Sequence, residues 1–343
     1  MLKLRFFGVG NGDSILIEFP NGQLGLIDSC ISPKTMKPAA WEYIYDKHLA
    51  FCCMTHPHRD HYAGLLDILK CPNIKVDEFW YALSDIDEVI PTLNWVAVPD
   101  GDNSASKWRR EREVGEIIDI FDWIWGETPT SFAREFTDVH YREFGDAKII
   151  IFGPDIACWK KYKKRLVQQR NRGIPLKRKY ENAISMVILI KYGQHLTWLL
   201  GDILKNPLQN LVQRHQEFLP DHVKSWGIKA SILKIPHHGA KDAWFPQVSD
   251  IFTSCNKEDI IVFSAAGDER HPHPEVREYW SETGKRVYGT WAEIRESESK
   301  GIGTWALDSI ADIAQPLGYR EPTDIVVLIN KDGLISVENE SKD

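Results

Sequence analysis

The sequence predicts an α/β layered fold built as a single domain over residues 1–343, and three observations lead to that expectation. Strand-like and helix-like segments interleave along the chain. Several apolar runs that read as buried strands end directly in His or Asp, so the polar chemistry gathers at strand ends. No repeat at a solenoid period and no low-complexity linker divides the chain.

Taken in order, residues 2–7 alternate polar and apolar side chains and lead into Gly8-Val9-Gly10-Asn11-Gly12, which reads as a strand and turn and not as a signal peptide. Strands follow at 14–19 and 24–28, joined by the hairpin signal Pro20-Asn21-Gly22. Residues 50–54 form a buried strand, and the loop after it leads into a helix over 62–69. A strand at 78–81 precedes a helix over 106–125, where Val114, Ile117, Ile118, Phe121 and Trp125 fall at helical spacing. Strands at 148–152, 185–190, 195–200, 230–235 and 260–264 come next, with helices at 207–218 and 274–283. A short strand at 287–288 and another at 324–329 close the order, with Lys331-Asp332-Gly333 as a last hairpin signal. The less regular stretches, about 83–140, 155–181 and 291–322, read as insertions on the domain.

Composition narrows the class. Hydrophobic residues make up 43% of the chain and include 13 tryptophans, ample for a core. No apolar stretch approaches the roughly 20 residues needed to cross a bilayer, so a cytoplasmic protein with no membrane part is expected. The six cysteines form no C-x-x-C pair and sit mostly in apolar settings, as reduced thiols do. The net charge of −7 conceals an asymmetry, because residues 160–179 hold ten Lys or Arg and no acid, leaving a formal −17 on the rest. Such a segment is either an anion contact suited to a phosphate backbone or a solvated helix face paired with acids elsewhere. Trp108, Trp159, Tyr162 and Tyr180 lie near these basic stretches, as candidates to stack bases.

The densest chemistry is Thr55-His56-Pro57-His58-Arg59-Asp60-His61-Tyr62, which places four ligand-type side chains, His56, His58, Asp60 and His61, in six positions after the 49–54 run. Three imidazoles and a carboxylate at the mouth of a strand repel when protonated and lack partners when buried. A divalent cation turns each into a bonded ligand. In an extended loop His56 and His58 point the same way, and the following turn swings Asp60 and His61 toward a second point. The spacing suggests two adjacent ions.

Three later motifs supply what such a site still lacks. Leu199-Leu200-Gly201-Asp202 ends an apolar strand in a carboxylate able to bridge two cations, after a Gly that permits close approach. Leu233-Lys234-Ile235-Pro236-His237-His238-Gly239 ends another strand in paired histidines, one a candidate ligand and the other a candidate general acid or phosphate contact. Phe263 to Pro274 ends the next strand with His271 and His273, of which only His271 is needed as a ligand.

Together these residues resemble the metallo-β-lactamase superfamily, through H-x-H-x-D-H, a preceding strand ending in Asp28, the Gly201-Asp202 strand end and a late His. The finer likeness is to the ComEC-type metallo-β-lactamase-like domain and its stand-alone relatives. It is carried by Gly8-Val9-Gly10-Asn11-Gly12-Asp13-Ser14, Asn182-Ala183-Ile184-Ser185, Leu200-Gly201-Asp202, Lys234-Ile235-Pro236-His237-His238-Gly239 and His271-Pro272-His273-Pro274, in the family's order, with a closing hairpin over 326–337. The resemblance implies an αββα metallo-β-lactamase sandwich with helical insertions and a site for two divalent metal ions, Zn or Mn, at one edge of the sheets. By that pattern His56 and His58 belong to the first metal, Asp60, His61 and His271 to the second, and Asp202 lies between them. Asp60, His237 and His238 are the candidate catalytic groups, and Asp28, Asn182, Lys234 and His273 are candidates for contacts behind the ligands or with substrate. The family's mid-chain ligand to the first metal has only His140 as a counterpart, without matching context, and His237 is the alternative.

The activity this implies is hydrolysis by a metal-activated water. The basic segment directs the choice of substrate toward a phosphodiester of nucleic acid or a nucleotide, hence a phosphodiesterase or nuclease. Metal chemistry alone also allows a small carbonyl ester, lactone or thioester. A third reading is a regulatory or binding subunit of a multiprotein complex, such as one for defence, with a protein partner.

Overall fold

The computed structural model describes residues 1–82, 105–127, 133–136, 139–154, 156–172, 179–218, 221–267, 271–291 and 322–340. Its strands are β1 (Leu2–Phe6), β2 (Ile15–Glu18), β3 (Leu24–Ile27), β4 (His48–Met54), β5 (Lys75–Tyr81), β6 (Ala133–Glu135), β7 (Val139–Phe144) and β8 (Ala147–Phe152). They continue with β9 (Val187–Tyr192), β10 (His195–Leu199), β11 (Ile232–Lys234), β12 (Ile260–Phe263), β13 (Arg286–Gly289), β14 (Asp324–Ile329) and β15 (Ile335–Glu340). An eight-stranded sheet runs β15-β14-β1-β2-β3-β4-β5-β6, and a seven-stranded sheet runs β13-β12-β11-β10-β9-β8-β7.

Alternation along the strands explains why these sheets pack face to face. Leu2, Leu4 and Phe6 of β1 and Ile188 and Ile190 of β9 enter one core between the sheets, whereas Val187 and Leu189 of β9 face outward into a second. In β4, Phe51 and Cys53 point between the sheets while Cys52 and Met54 point to the opposite face, so the strand is apolar on both sides. Phe51 stacks on Trp80 of β5 at 3.7 Å between ring centroids, and each such fully buried side chain contributes about 1.5–3 kcal/mol.

Helices cover the two outer faces. On the eight-stranded sheet lie α1 (Trp41–Ile44), α2 (Arg59–Tyr62), α3 (Leu65–Lys70), α4 (Ala105–Glu127) and α5 (Ile156–Arg172), which share a core through Ile44, Tyr62, Leu65, Phe121 and Tyr162. After the short α6 (Lys179–Asn182), the other sheet is covered by α7 (Lys205–Phe218), α8 (Asp221–Lys224), α9 (Gln247–Phe252) and α10 (Pro274–Glu282), through Leu208, Val223, Phe252 and Trp280. The layers are α, β, β, α, as the resemblance implied. Among the described residues no helix is long and apolar enough to cross a membrane.

Every strand expected from the sequence is present, and three were not foreseen as separate strands. β6 is three residues long, β7 carries half-exposed polar residues, and β15 was legible only as part of the closing hairpin. The helix expected over 62–69 is split into α2 and α3 because the Gly64 amide donates to the Ser29 carbonyl (3.0 Å) instead of continuing the turn. The stretch 83–140 holds α4 and β6 and the start of β7, so it adds an edge to both sheets. Residues 83–104 and 292–321 lie outside the described residues.

Candidate metal centre

Parallel pairing brings the chemistry to one edge. β3 and β4 run parallel in one sheet, and β10, β11 and β12 run parallel in the other. Asp28, the His56–His61 loop, Asp202, the His237-His238 turn and His271 all follow the carboxyl ends of these strands. The two sets are sewn together: Met186 N donates to Thr55 O (3.0 Å), and Ser264 Oγ donates to Gly12 O (2.7 Å).

Two groups of three donors form there, His56 with His58 and Asp202, and Asp60 with His61 and His238. Within each group the ligand atoms lie within 4.8 Å of one another. Asp202 Oδ2 is the shared point, 3.7 Å from His56 Nε2, 3.4 Å from His61 Nε2, 3.5 Å from His238 Nε2 and 3.8 Å from His237 Nε2. His238 Nε2 is also 3.7 Å from Asp60 Oδ2. The nitrogens His56 Nε2, His61 Nε2 and His238 Nε2 and the oxygen Asp202 Oδ1 are buried without a hydrogen-bond partner. Orphaned buried donors and acceptors are costly. Three such imidazole nitrogens gathered around one carboxylate fit a site for divalent metal held by imidazole and carboxylate.

Local backbone strain aims these groups. Among the described residues, five non-glycine residues have positive φ, and Asp28 (55°), His237 (48°) and His238 (53°) are three of them. Such conformations cost about 1–3 kcal/mol each and persist where the surroundings impose them. Gly201 (φ 51°) is needed before Asp202, because a Cβ there would collide with Ser185 Oγ, which accepts from Asp202 N (3.0 Å).

The opposite ring nitrogens are held from behind. His61 Nδ1 meets Asp28 Oδ2 at 2.7 Å, and Asp28 itself accepts from Thr55 N and Thr55 Oγ1, both at 2.7 Å. His238 Nδ1 donates to the Ser264 carbonyl (2.7 Å), and His58 Nε2 meets Glu181 Oε2 (2.8 Å). Such partners fix the ring and leave the other nitrogen for the metal. A third cluster, Asp13 with Asp28 and His61, already contains a cation: the fully buried Lys234 ammonium donates to Asp13 Oδ2 and, at 3.1 Å, to the Gly201 carbonyl.

In the metal-free protein the carboxylates keep two imidazoles charged. Burial disfavours the His61 imidazolium, but Asp202 and Asp28 outweigh it and push its pKa well above the usual range. Against the same burial, Asp202 and Asp60 push His238 up to about 10. His56 goes the other way, pushed well down by burial and then by its neighbours His61 and His58. Metal loading must expel the protons on His61 and His238, so affinity is expected to rise with pH through the neutral range. Calorimetric titration of Mn²⁺ in buffers of different ionisation enthalpy checks this; heats that do not depend on the buffer would contradict it.

The remaining predicted residues fall as follows. His237 is half-buried at the rim, with Nδ1 on Asp242 Oδ1 (2.9 Å) and Nε2 beside Asn182 Nδ2 (3.1 Å). The His271 ring lies 5.8 Å from that of His237 and 6.0 Å from that of His238, outside the two donor groups. His273 caps α10, accepting from Glu275 N (3.3 Å). His140 stands in β7 against the Phe136 ring (4.6 Å). Of the basic segment, Lys160, Lys161, Lys164 and Arg165 are exposed on α5. Trp159 and Tyr162 are buried on its inner face and stacked on each other at 5.4 Å, so they are not available to stack bases. Residues 173–178 and the side chain of Trp108 lie outside those described.

Sequence reasoning missed Glu181, Asp242 and a role for Asp13. Glu181 is the first acid after the basic run, which does not point to a histidine partner, and Asp13 stands inside the Gly8-to-Ser14 motif. Asp242 had no signal.

No protein-family model and no curated protein matches the chain. Among solved structures it is similar to the metallo-beta-lactamase fold protein YhfI from Bacillus subtilis, at 12% identity and a TM-score of 0.43 over 84% of this chain and 95% of that one. It is also similar to CmlA, a diiron beta-hydroxylase from Streptomyces venezuelae, at 13% identity and a TM-score of 0.42 over 83% of this chain. An E377D mutant of the CmlA beta-hydroxylase gives 11% identity and 0.42 over 84%. The chain spans about half the length of the CmlA chains, 52% in each case.

Proposed function

We propose that this chain is a metal-dependent hydrolase of the metallo-β-lactamase superfamily, resembling the ComEC-type domain, acting on a phosphodiester of nucleic acid or a nucleotide. The observation that carries the reading is the gathering of two donor groups around Asp202, with His56 Nε2, His61 Nε2 and His238 Nε2 buried there without a hydrogen-bond partner. His56, His58 and Asp202 would hold one cation, and Asp60, His61 and His238 the other, with Asp202 shared. In this reading His238 takes the place expected of His271. Two divalent ions held there, Zn²⁺ or Mn²⁺, would supply Lewis acidity and make water a competent nucleophile near neutral pH.

The chain's own residues do the rest. Asp28 and the Ser264 carbonyl hold the His61 and His238 rings in one orientation. His237, held by Asp242 through Nδ1 and beside Asn182 at the rim, would as the imidazolium give its Nε2 proton to the departing oxygen. Lys160, Lys161, Lys164 and Arg165 give α5 a positive outer face, and the chain from that helix returns to the site at Glu181 and Asn182. That path supports a polyanionic substrate.

Labelled single-stranded DNA, duplex DNA, RNA and a simple diester, offered to Mn²⁺- or Zn²⁺-loaded protein beside Asp60→Ala, test the proposal. Cleavage that vanishes in the variant is expected, and absence of cleavage by protein shown to carry metal would sink the substrate assignment. Replacing Lys160, Lys161, Lys164 and Arg165 by Glu is expected to depress polymer cleavage while sparing the simple diester. The slope of log affinity against log salt should shrink by about 1 for each side chain that meets a phosphate. Equal losses on polymer and diester would contradict a polyanion contact.

A further inference from the structure

Two consecutive residues of α6 brace histidines from different sheets: Glu181 meets His58 Nε2 at 2.8 Å, and Asn182 meets His237 Nε2 at 3.1 Å. The next residue of the His loop is held by a different insertion, since Arg59 Nε donates to Glu116 Oε2 of α4 (2.9 Å). The loop that carries the ligands is therefore clamped from outside the two sheets. Glu181 contributes the stronger hold, because it engages a ligand side chain directly. Its carboxylate is mostly covered, at 19% side-chain exposure, and His58 is buried at 8%. Helix α5 reaches the same place, because the buried Tyr162 hydroxyl feels the Glu181 charge, which with burial pushes it well up.

We propose that Glu181 is a positioning residue that fixes His58 as a ligand of the first metal. This rests on the metal reading of the site. A carboxylate on Nε2 takes the Nε2 proton as a hydrogen bond, which leaves the Nδ1 lone pair as the ring's ligand atom and forbids the ring from flipping. Asp28 does the same for His61 through the opposite nitrogen, with Nδ1 on the carboxylate and Nε2 toward Asp202. The two metal positions thus each receive one carboxylate-locked imidazole, and one of those locks comes from the segment that follows the basic helix. That arrangement makes occupancy of the first position depend on α6 being in place.

The test is Mn²⁺ binding, followed by calorimetry and by electron paramagnetic resonance, in the full chain and in Glu181→Ala, Glu181→Gln and Asp60→Ala. Glu181→Ala is expected to weaken one of the two positions by about 10- to 100-fold, to turn the signal of a coupled pair into that of a single ion, and to leave the melting temperature of metal-free protein unchanged. Glu181→Gln keeps an acceptor for Nε2 and is expected to lose less than Glu181→Ala. Asp60→Ala is expected to weaken the other position. Unchanged binding in Glu181→Ala, or an equal loss in Glu181→Gln, would overturn the positioning role while the metal reading stood. Absence of Mn²⁺ binding by the unaltered chain would overturn both.

Discussion

Asp202→Ala is expected to lose metal from both positions at once and to abolish turnover. Asp202 belongs to the group with His56 and His58, and its Oδ2 also lies 3.4 and 3.5 Å from His61 Nε2 and His238 Nε2 of the other group, so it stands between the two. Asp60 is placed differently, with its Oδ2 3.7 Å from His238 Nε2 in the second group. The loss in metal affinity should therefore exceed the roughly 10- to 100-fold seen when a partner behind a ligand is removed, and it should affect both ions, where Asp60→Ala affects one. Metal analysis after dialysis, beside a cleavage assay, reads the difference. Retention of one tightly held ion in Asp202→Ala would show that the two groups do not depend on a common carboxylate.

Lys234→Met is expected to destabilise the metal-free protein by about 3–5 kcal/mol, the range for breaking a buried pair and leaving one charge behind. Lys234 and Asp13 are 0% and 1% exposed in their side chains, and their contact joins the end of β11 to the turn between β1 and β2. Asp13 also lies 3.9 Å from His61 Nδ1 and 3.8 Å from His238 Nδ1, so a stranded carboxylate would pull on two ligands. Removing both charges in Lys234→Met with Asp13→Leu should recover much of the loss, because two apolar groups of similar shape leave nothing unpaired. Urea denaturation of the single and double variants measures this; a single-variant loss below about 1 kcal/mol, as for an exposed pair, would mean the pair contributes little.

Much of the fold was legible because the strands are buried on one or both faces, and burial writes a pattern into the chain. The H-x-H-x-D-H loop was legible for a related reason, since four ligand side chains behind an apolar run have few uses. What the sequence did not disclose depends on contacts between distant segments. Glu181 is 123 positions from His58, and nothing local marks it as that histidine's partner. The paired histidines were legible as offering one candidate ligand, but a left-handed turn at 237–238 that residue types do not announce sets which of them, His238, lies with Asp60 and His61. Trp159 and Tyr162 looked available beside a basic run, yet they form the inner face of the helix whose outer face carries the charge.

Crystals grown with Mn²⁺ and measured for its anomalous scattering address the metal centre most directly. The account predicts two peaks, one bounded by His56, His58 and Asp202 and the other by Asp60, His61 and His238, with Asp202 touching both. No peak at this edge, or one at Asp13 and Asp28 in the place of the Lys234 ammonium, would contradict it.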